Sequence, residues 1–355
     1  MKILNKSVVI LFLITLISCG NKQNTFNGEF EKSVTLPVET ISEIFTWCPT
    51  SLTYLNGYLV VVNNCKDSVL QIVDTKSMET HWGGVKGQGP NEFIGLNWNG
   101  QKVIKDGKQY LRMFDTQKRN CVLVNPKEIY NNEASPIIES KLPKNLFLWE
   151  DLLKTEEDKW VYSNLQDFND SFLTFADTSG LPVTTTEFLP EANVEYSKKV
   201  ISYVYYSKTR YNEKKEMFVS ALRNFPYIAL FDKKGHRVNE LIIGDYKVPA
   251  YKNEELNPVN NTNVNYNEVI TSEKYIYVVN FNVNYDKYIE SEMNISPSIE
   301  VYDWELKPQC EINFDVLFCN MDIDFENKVI YGFSTKDFDH LVSKVVIPKE
   351  LYKFF

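Results

Sequence analysis

A repeated hairpin constrains this chain more than any other feature. Five segments share an alternating apolar strand, an aspartate, a short turn and a second strand. They are VLQIVDTKSMETHW around Asp74, YLRMFDTQKRNCVLV around Asp115, FLTFADTSGLPVTTTEF around Asp177, YIALFDKKGHRVNELIIG around Asp232 and IEVYDWELKPQCEINF around Asp303. An aspartate at a strand end accepts backbone N–H bonds from two residues on and so starts the turn, with Gly180 and Gly235 available for positive φ. The aspartates are 41, 62, 55 and 71 residues apart. A constant signature at irregular spacing marks repeated structural units with loops of variable length.

Each of these hairpins follows another: YLNGYLVVV, LNWNGQKVIK with its turn at Asn99-Gly100, DLLKTEEDKWVYS, VYYSKTRYNEKKEMFVS and VITSEKYIYVV. Two hairpins per unit make a four-stranded blade. A sixth unit, MDIDFENKVIYGF with HLVSKVVIP, has three strands before the chain ends. The N-terminal stretch from Phe30 to Ile41 can supply its outer strand, which closes a ring and removes the open edge. Abundant Tyr (21) and Phe (22) favour strands over helices. The pattern predicts an all-β fold, a single six-bladed β-propeller closed by an N-terminal strand. A β-sandwich requires neither equivalent four-strand units nor a strand from the far end.

The run Gly87-Gln88-Gly89-Pro90-Asn91-Glu92-Phe93 resembles the GxGPxEF signature of TolB-like six-bladed propeller lipoproteins, and IEVYDWELKP resembles their late-blade pattern. Asn91 stands where a glycine is frequent. The resemblance covers the chain after its N-terminal leader and implies a secreted, lipid-anchored propeller. It carries almost no information about activity. No helix follows the two glycines, so the run reads as a rigid turn between blades rather than a phosphate cradle.

The N-terminus reads as a leader. Lys2 and Lys6 precede an apolar run from Val8 to Ile17, the length of a signal h-region and short for a membrane span. Leu16-Ile17-Ser18-Cys19-Gly20 resembles a bacterial lipobox, which predicts cleavage before Cys19 and its acylation. The expected organisation is a signal peptide over 1–18, a lipidated tether over 19–25 and a propeller over 26–355, with Gly20 to Asn27 polar and without structure. No acidic run follows Cys19, which favours the outer membrane and its periplasmic side.

Five cysteines then remain, too few and too odd for a disulfide scaffold. Counting outward from an Asn56-Gly57 hairpin brings Cys48 opposite Cys65 on a pair where side chains lie close. Pro49, one step inside, cannot donate to the ladder and invites a slip in register, which favours two separate thiols over a disulfide. Cys121 and Cys310 fall on expected outer strands as buried thiols.

Catalytic motifs are nearly absent: the chain has no GxSxG, HExxH, CxxC or Walker sequence. Of three histidines, only His340 falls near the loops between second and third strands, whereas His81 and His236 do not. No cofactor or metal is expected. Asp322 and Asp324 alternate on the first strand of blade six, where they form either a carboxylate pair or cation ligand near the channel or a solvated or hydrogen-bonded strand pair. Trp47, Trp98, Trp149 and Trp160 fall in or beside inner strands and suit packing between blades. A net charge of −9 argues against nucleic acid or an anionic membrane surface as partner, leaving membrane contact to the lipid alone.

Loop lengths separate the two ends of the ring. Turns at Asn56-Gly57, Asn99-Gly100, Thr75, Thr116, Gly180, Gly235 and Lys307 are short and share one end. The long connections, Pro126 to Asn145, Asp245 to Asn267 and Asn282 to Pro297, fall at the other, and such loops are usually functional or disordered. Two of them bring Tyr246, Tyr251, Tyr266, Tyr285, Asp286, Tyr288 and Glu290, residues suited to contact with a protein or glycan. The expected role is noncatalytic binding or scaffolding in the cell envelope. The alternative is an enzyme acting on a carbohydrate through carboxylates near the channel mouth.

Overall fold

The computed structural model describes residues 24–63, 65, 67–144, 146, 149–155, 157–164, 171–187, 200–201, 204–244, 263–284 and 295–355. Three short strands, β1 (Asn24–Phe26), β2 (Ser33–Leu36) and β3 (Glu39–Thr40), precede the blades. Blade one is β4 (Pro49–Leu55), β5 (Tyr58–Asn63), β6 (Ser68–Asp74) and β7 (Thr80–Val85). Blade two is β8 (Asn97–Lys105), β9 (Lys108–Asp115), β10 (Asn120–Val124) and, after helix α1 (Pro126–Tyr130), β11 (Ile137–Lys141). Blade three is β12 (Trp149–Lys154), β13 (Trp160–Asn164), β14 (Thr174–Ala176) and β15 (Pro182–Thr185). Blade four is β16 (Ser207–Asn212), β17 (Met217–Leu222), β18 (Tyr227–Asp232) and β19 (Arg237–Ile243). Blade five is β20 (Asn263–Thr271), β21 (Tyr275–Asn284), β22 (Ser298–Asp303) and β23 (Pro308–Phe314), and blade six is β24 (Phe318–Asp324), β25 (Val329–Ser334) and β26 (Val342–Val346). Each first strand abuts the first strand of the next blade, and β24 returns to β4. The result is a six-bladed propeller. Among the described residues no helix is long and apolar enough to cross a bilayer.

The aspartate turns behave as their chemistry requires. Asp74 Oδ1 accepts the N–H groups of Lys76 (2.7 Å) and Ser77 (3.1 Å). Asp177, Asp232 and Asp303 each use Oδ1 to hold two backbone N–H groups, two and four residues on. Asp74, Asp232 and Asp303 end the third strand of their blades, and Asp177 directly follows its own.

Asp115 departs from this register, because it ends the second strand of blade two. Asn99-Gly100 is not a turn: it is a bulge within β8, where pairing with β9 jumps between Trp98 and Gln101. The chain reverses at Asp106 (φ 51°) and Gly107 (φ 74°), the two positive φ angles of a tight hairpin. The Thr116 turn therefore lies at the end expected for long connections. Cys121 sits on the third strand, and the stretch read as a connection from Pro126 to Asn145 contains α1 and the true outer strand β11.

The N-terminal segment covers the outer edge of three blades in turn. β1 pairs in parallel with β19 and β2 in parallel with β23, and β3 runs antiparallel to β26 through Thr40↔Ser343 and Glu39↔Lys344. Closure of blade six thus needs only the end of the expected Phe30 to Ile41 strand, and its earlier part extends blade five. Asn24–Phe26 is paired strand rather than structureless tether. Phe26 rests on Phe30 (centroids 5.4 Å apart), and Phe30 in turn on Tyr302 (5.8 Å), which anchors that end.

Cys48 and Cys65 form a disulfide with Cα atoms 5.6 Å apart. The register slip expected at Pro49 is present, between Pro49 and Ser51, but the bulge absorbs it without carrying Cys48 out of reach. Cys121 and Cys310 are buried thiols.

Two substitutions test this closure. Leu36 packs in the cluster shared by blades five and six, so Leu36→Ala should lower stability by about 2–5 kcal/mol in urea unfolding. Cys48→Ser opens a loop of 17 residues and should cost about 3 kcal/mol under oxidising conditions. An unchanged midpoint for Leu36→Ala would detach the N-terminal segment from the fold.

Candidate functional site

The innermost strand of a blade leaves backbone groups facing the channel without a further strand to pair with. Side chains from the preceding blade supply the missing partners. Asp151 Oδ2 of blade three accepts the Thr209 N–H of blade four (2.5 Å), and Glu268 Oε2 of blade five accepts the Met321 N–H of blade six (2.9 Å). Asp322 Oδ2 of blade six accepts both the Thr53 hydroxyl (2.6 Å) and the Tyr54 N–H (2.8 Å) of blade one. Amides do the same elsewhere. Asn99 and Gln101 bond Leu152 and Lys154 across the blade two to three seam, and Asn212 donates to the Ser272 carbonyl across the next but one. Among the described residues, five of the six seams are joined this way.

Charges pair across the channel above these bonds. Lys102 Nζ of blade two lies 2.8 Å from Asp322 Oδ2. Arg210 of blade four stands between Asp151 (3.7 Å) and Glu268 (3.8 Å) and is 7% exposed. Its side chain crosses the channel to Gly100 of blade two, where a Cβ atom would sit 2.1 Å from Arg210 Nε. The bulge at Gly100 makes room for the guanidinium. Arg210, Glu268 and Trp98 line cavities on both sides of this waist, of about 610 Å³ toward the long connections and about 660 Å³ toward the short hairpin turns.

Two groups at the waist titrate away from their ordinary ranges. Burial pushes the Glu268 carboxyl up to about 7, against the pull of Arg210 and of the Met321 N–H. Burial also works against charge on Lys208, but Asp151 and Tyr206 prevail and hold its ammonium above the ordinary range. Lys208 Nζ lies 5.2 Å from the Tyr206 ring, and Arg223 lies 5.5 Å from the same ring.

The residues expected to carry function scatter. Asp322 lines the channel, but Asp324 does not join it as a pair: its carboxylate caps the turn through the Glu326 and Asn327 N–H groups and the Asn327 amide. Tyr266 is fully buried in blade five, and its hydroxyl donates to the buried Glu300 (3.1 Å), which also accepts from Tyr302 and Asn280. It belongs to the core, not to a binding face. Cys19, Tyr246, Tyr251, Tyr285, Asp286, Tyr288 and Glu290 lie outside the described residues. In the Gly87 to Phe93 turn, Glu92 Oε2 accepts the Gly89 N–H (2.7 Å) and Phe93 is buried between blades one and two. Trp160 is buried and Trp98 half-buried, whereas Trp47 is 46% exposed beside Phe45.

Sequence reasoning passed over Lys102, Asp151, Lys208, Arg210 and Glu268. It also missed Glu139 on β11, where Arg112 makes a bidentate pair and Lys154 and the Cys121 thiol approach. Burial opposes the charge on Glu139, but those donors and cations outweigh it and hold the carboxyl at about 2.

Because Glu268 titrates near 7 when folded and near 4.5 otherwise, the folded state binds the extra proton between those values. Its contribution to stability therefore falls as pH rises through that window. Glu268→Gln keeps an acceptor for Met321, so its stability relative to wild type should improve between about pH 5 and pH 8. Parallel urea midpoints at both pH values would contradict the assignment. Gly100→Ala should destabilise by about 1–3 kcal/mol, through both its φ of 78° and the collision with Arg210.

Residues 29–326 match a family model described as TolB-like 6-blade propeller-like. No curated protein matches the chain. Among solved structures, a Bacteroides fragilis protein described as exported is similar, with a TM-score of 0.54, 13% identity and coverage of 92% of this chain and 99% of that one. A member of the DUF4221 family from Bacteroides vulgatus follows, with a TM-score of 0.51, 11% identity and coverage of 86% and 94%. At such identities the likeness is one of fold. With six blades in a ring and the family model spanning most of its length, the chain belongs to the TolB-like six-bladed propeller family.

Proposed function

We propose that this is an exported protein held in the cell envelope by an acylated Cys19, whose propeller binds a protein or glycan partner without catalysing a reaction. The lack of an acidic run after Cys19 supports the outer membrane and its periplasmic side. The observation that carries the binding role is the commitment of the channel carboxylates. Asp322 serves Thr53, Tyr54 and Lys102, while Asp151 and Glu268 each hold a backbone N–H of the next blade. Acid–base work on a glycosidic bond uses two carboxylates facing the substrate. Among the described residues Glu268 is the one carboxylate lining the cavity toward the long connections. The lipobox at Leu16 to Gly20 supports the anchor, and the Cys48–Cys65 disulfide suits an oxidising compartment.

Two measurements test this reading. Cys19→Ala should abolish the acyl mass and move the protein out of the membrane fraction; unchanged retention contradicts the anchor. Replacing residues 246–261 and 285–294 with short turns, which spares β20, should leave the melting temperature unchanged. Cross-linking in intact envelopes should then lose the partner captured by wild type. Capture of the same partner at the same yield places the binding face elsewhere.

A further inference from the structure

The cavity on the long-connection side of the waist has a chemistry of its own. Among the described residues its charged lining comprises Arg119, Lys208 and Arg210 against the carboxylate of Glu268, with Asp151 3.7 Å from Arg210. The side chains of Asn267 and Asn320 add amides, and Trp98 and Tyr206 add rings. Its volume of about 610 Å³ falls within the range of about 300–1,000 Å³ that holds small ligands. From this lining, and resting on the binding role proposed above, we infer that the cavity takes an acidic saccharide: a hydroxyl-rich ligand bearing one carboxylate.

The lining selects against the alternatives. An apolar ligand would strip water from cations and amides without replacing their hydrogen bonds. A neutral sugar would satisfy the amides, which match hydroxyls because each offers both donor and acceptor. It would leave unanswered the surplus positive charge of Arg119, Lys208 and Arg210 over Glu268 and the Asp151 carboxylate beside Arg210. A phosphate dianion would bring its second charge against Glu268. One carboxylate meets the cations and leaves Glu268 to a sugar hydroxyl. Arg210 is suited to the role. Its contacts to Asp151 and Glu268, at 3.7 and 3.8 Å, are longer than hydrogen bonds. One donor goes to the Thr209 carbonyl, and the planar fork has five. The half-buried ring of Trp98 offers flat apolar surface to the C–H face of a pyranose.

The test is calorimetric titration of the full-length protein in detergent with galacturonate, its neutral counterpart galactose and inorganic phosphate. Galacturonate should bind one to one, about tenfold or more tighter than galactose, as loss of one charge-assisted bond implies. Lys208→Gln should weaken galacturonate by about tenfold and Lys208→Arg should restore it, with both variants folded by circular dichroism. Trp98→Phe should retain binding with a smaller loss, which keeps the test open if Lys208→Gln does not fold. Equal affinity for the acidic and neutral sugars, tighter binding of phosphate, or no binding by wild type would each overturn the inference. The loop replacements above leave Lys208 and Arg210 in place. Loss of partner capture alongside a wild type that ignores galacturonate therefore sinks this inference alone, and saccharide binding with unaltered capture sinks the loop face alone.

Discussion

An edge strand facing a channel has backbone N–H and C=O groups that no further strand will pair, and a six-bladed ring meets that condition six times. The rest of this structure depends on how those edges are answered. Carboxylates answer at three seams, where a charged acceptor makes the stronger bond to an N–H. Placing acids there brings them close together in a confined space, and Lys102, Lys208 and Arg210 balance them. The bulge at Gly100 follows, since Arg210 needs room on the opposite wall. A requirement of backbone hydrogen bonding thus dictates the electrostatics of the channel.

Turn chemistry made most of the fold legible. Aspartates 74, 177, 232 and 303 act within two to four residues of themselves, so local sequence suffices to find them. Blade two misled because Asn99-Gly100 offers the same dipeptide as the true turn at Asn56-Gly57. What distinguishes them is a side chain from blade four, more than a hundred residues away. The Asp106-Gly107 turn was equally visible, and choosing it would have restored Asp115 to the second strand. Similarly, the outer strand β11 is short and half-buried, with little of the apolar alternation that marks its neighbours.

The channel was far less legible. Its members come from five blades, and each looks like an ordinary polar residue beside apolar ones in its own strand. A signal was present in composition: WEDLLK and SKTRYN, both innermost strands, are far more polar than the middle strands MFVSAL or YIALFD. Polar residues in a strand flanked on both sides by blades point to a lined channel. Tyr266 shows the opposite error. Proximity to a long connection suggested exposure, but it sits in β20 at a position facing the core, where its hydroxyl meets a carboxylate that lies 34 residues further along the chain.

The path of the N-terminal segment bears on how the molecule sits over a bilayer. Four residues lie between Cys19 and Asn24, so the two are at most about 18 Å apart even when the chain is fully extended. Because β1 runs parallel to β19, it enters from the end of the ring that carries the short hairpin turns. An acyl chain on Cys19 would hold blade four nearest the lipid headgroups, with little slack for the ring to swing. The mouth lined by Lys208 and Arg210 would then open away from the membrane, toward whatever diffuses in the aqueous space.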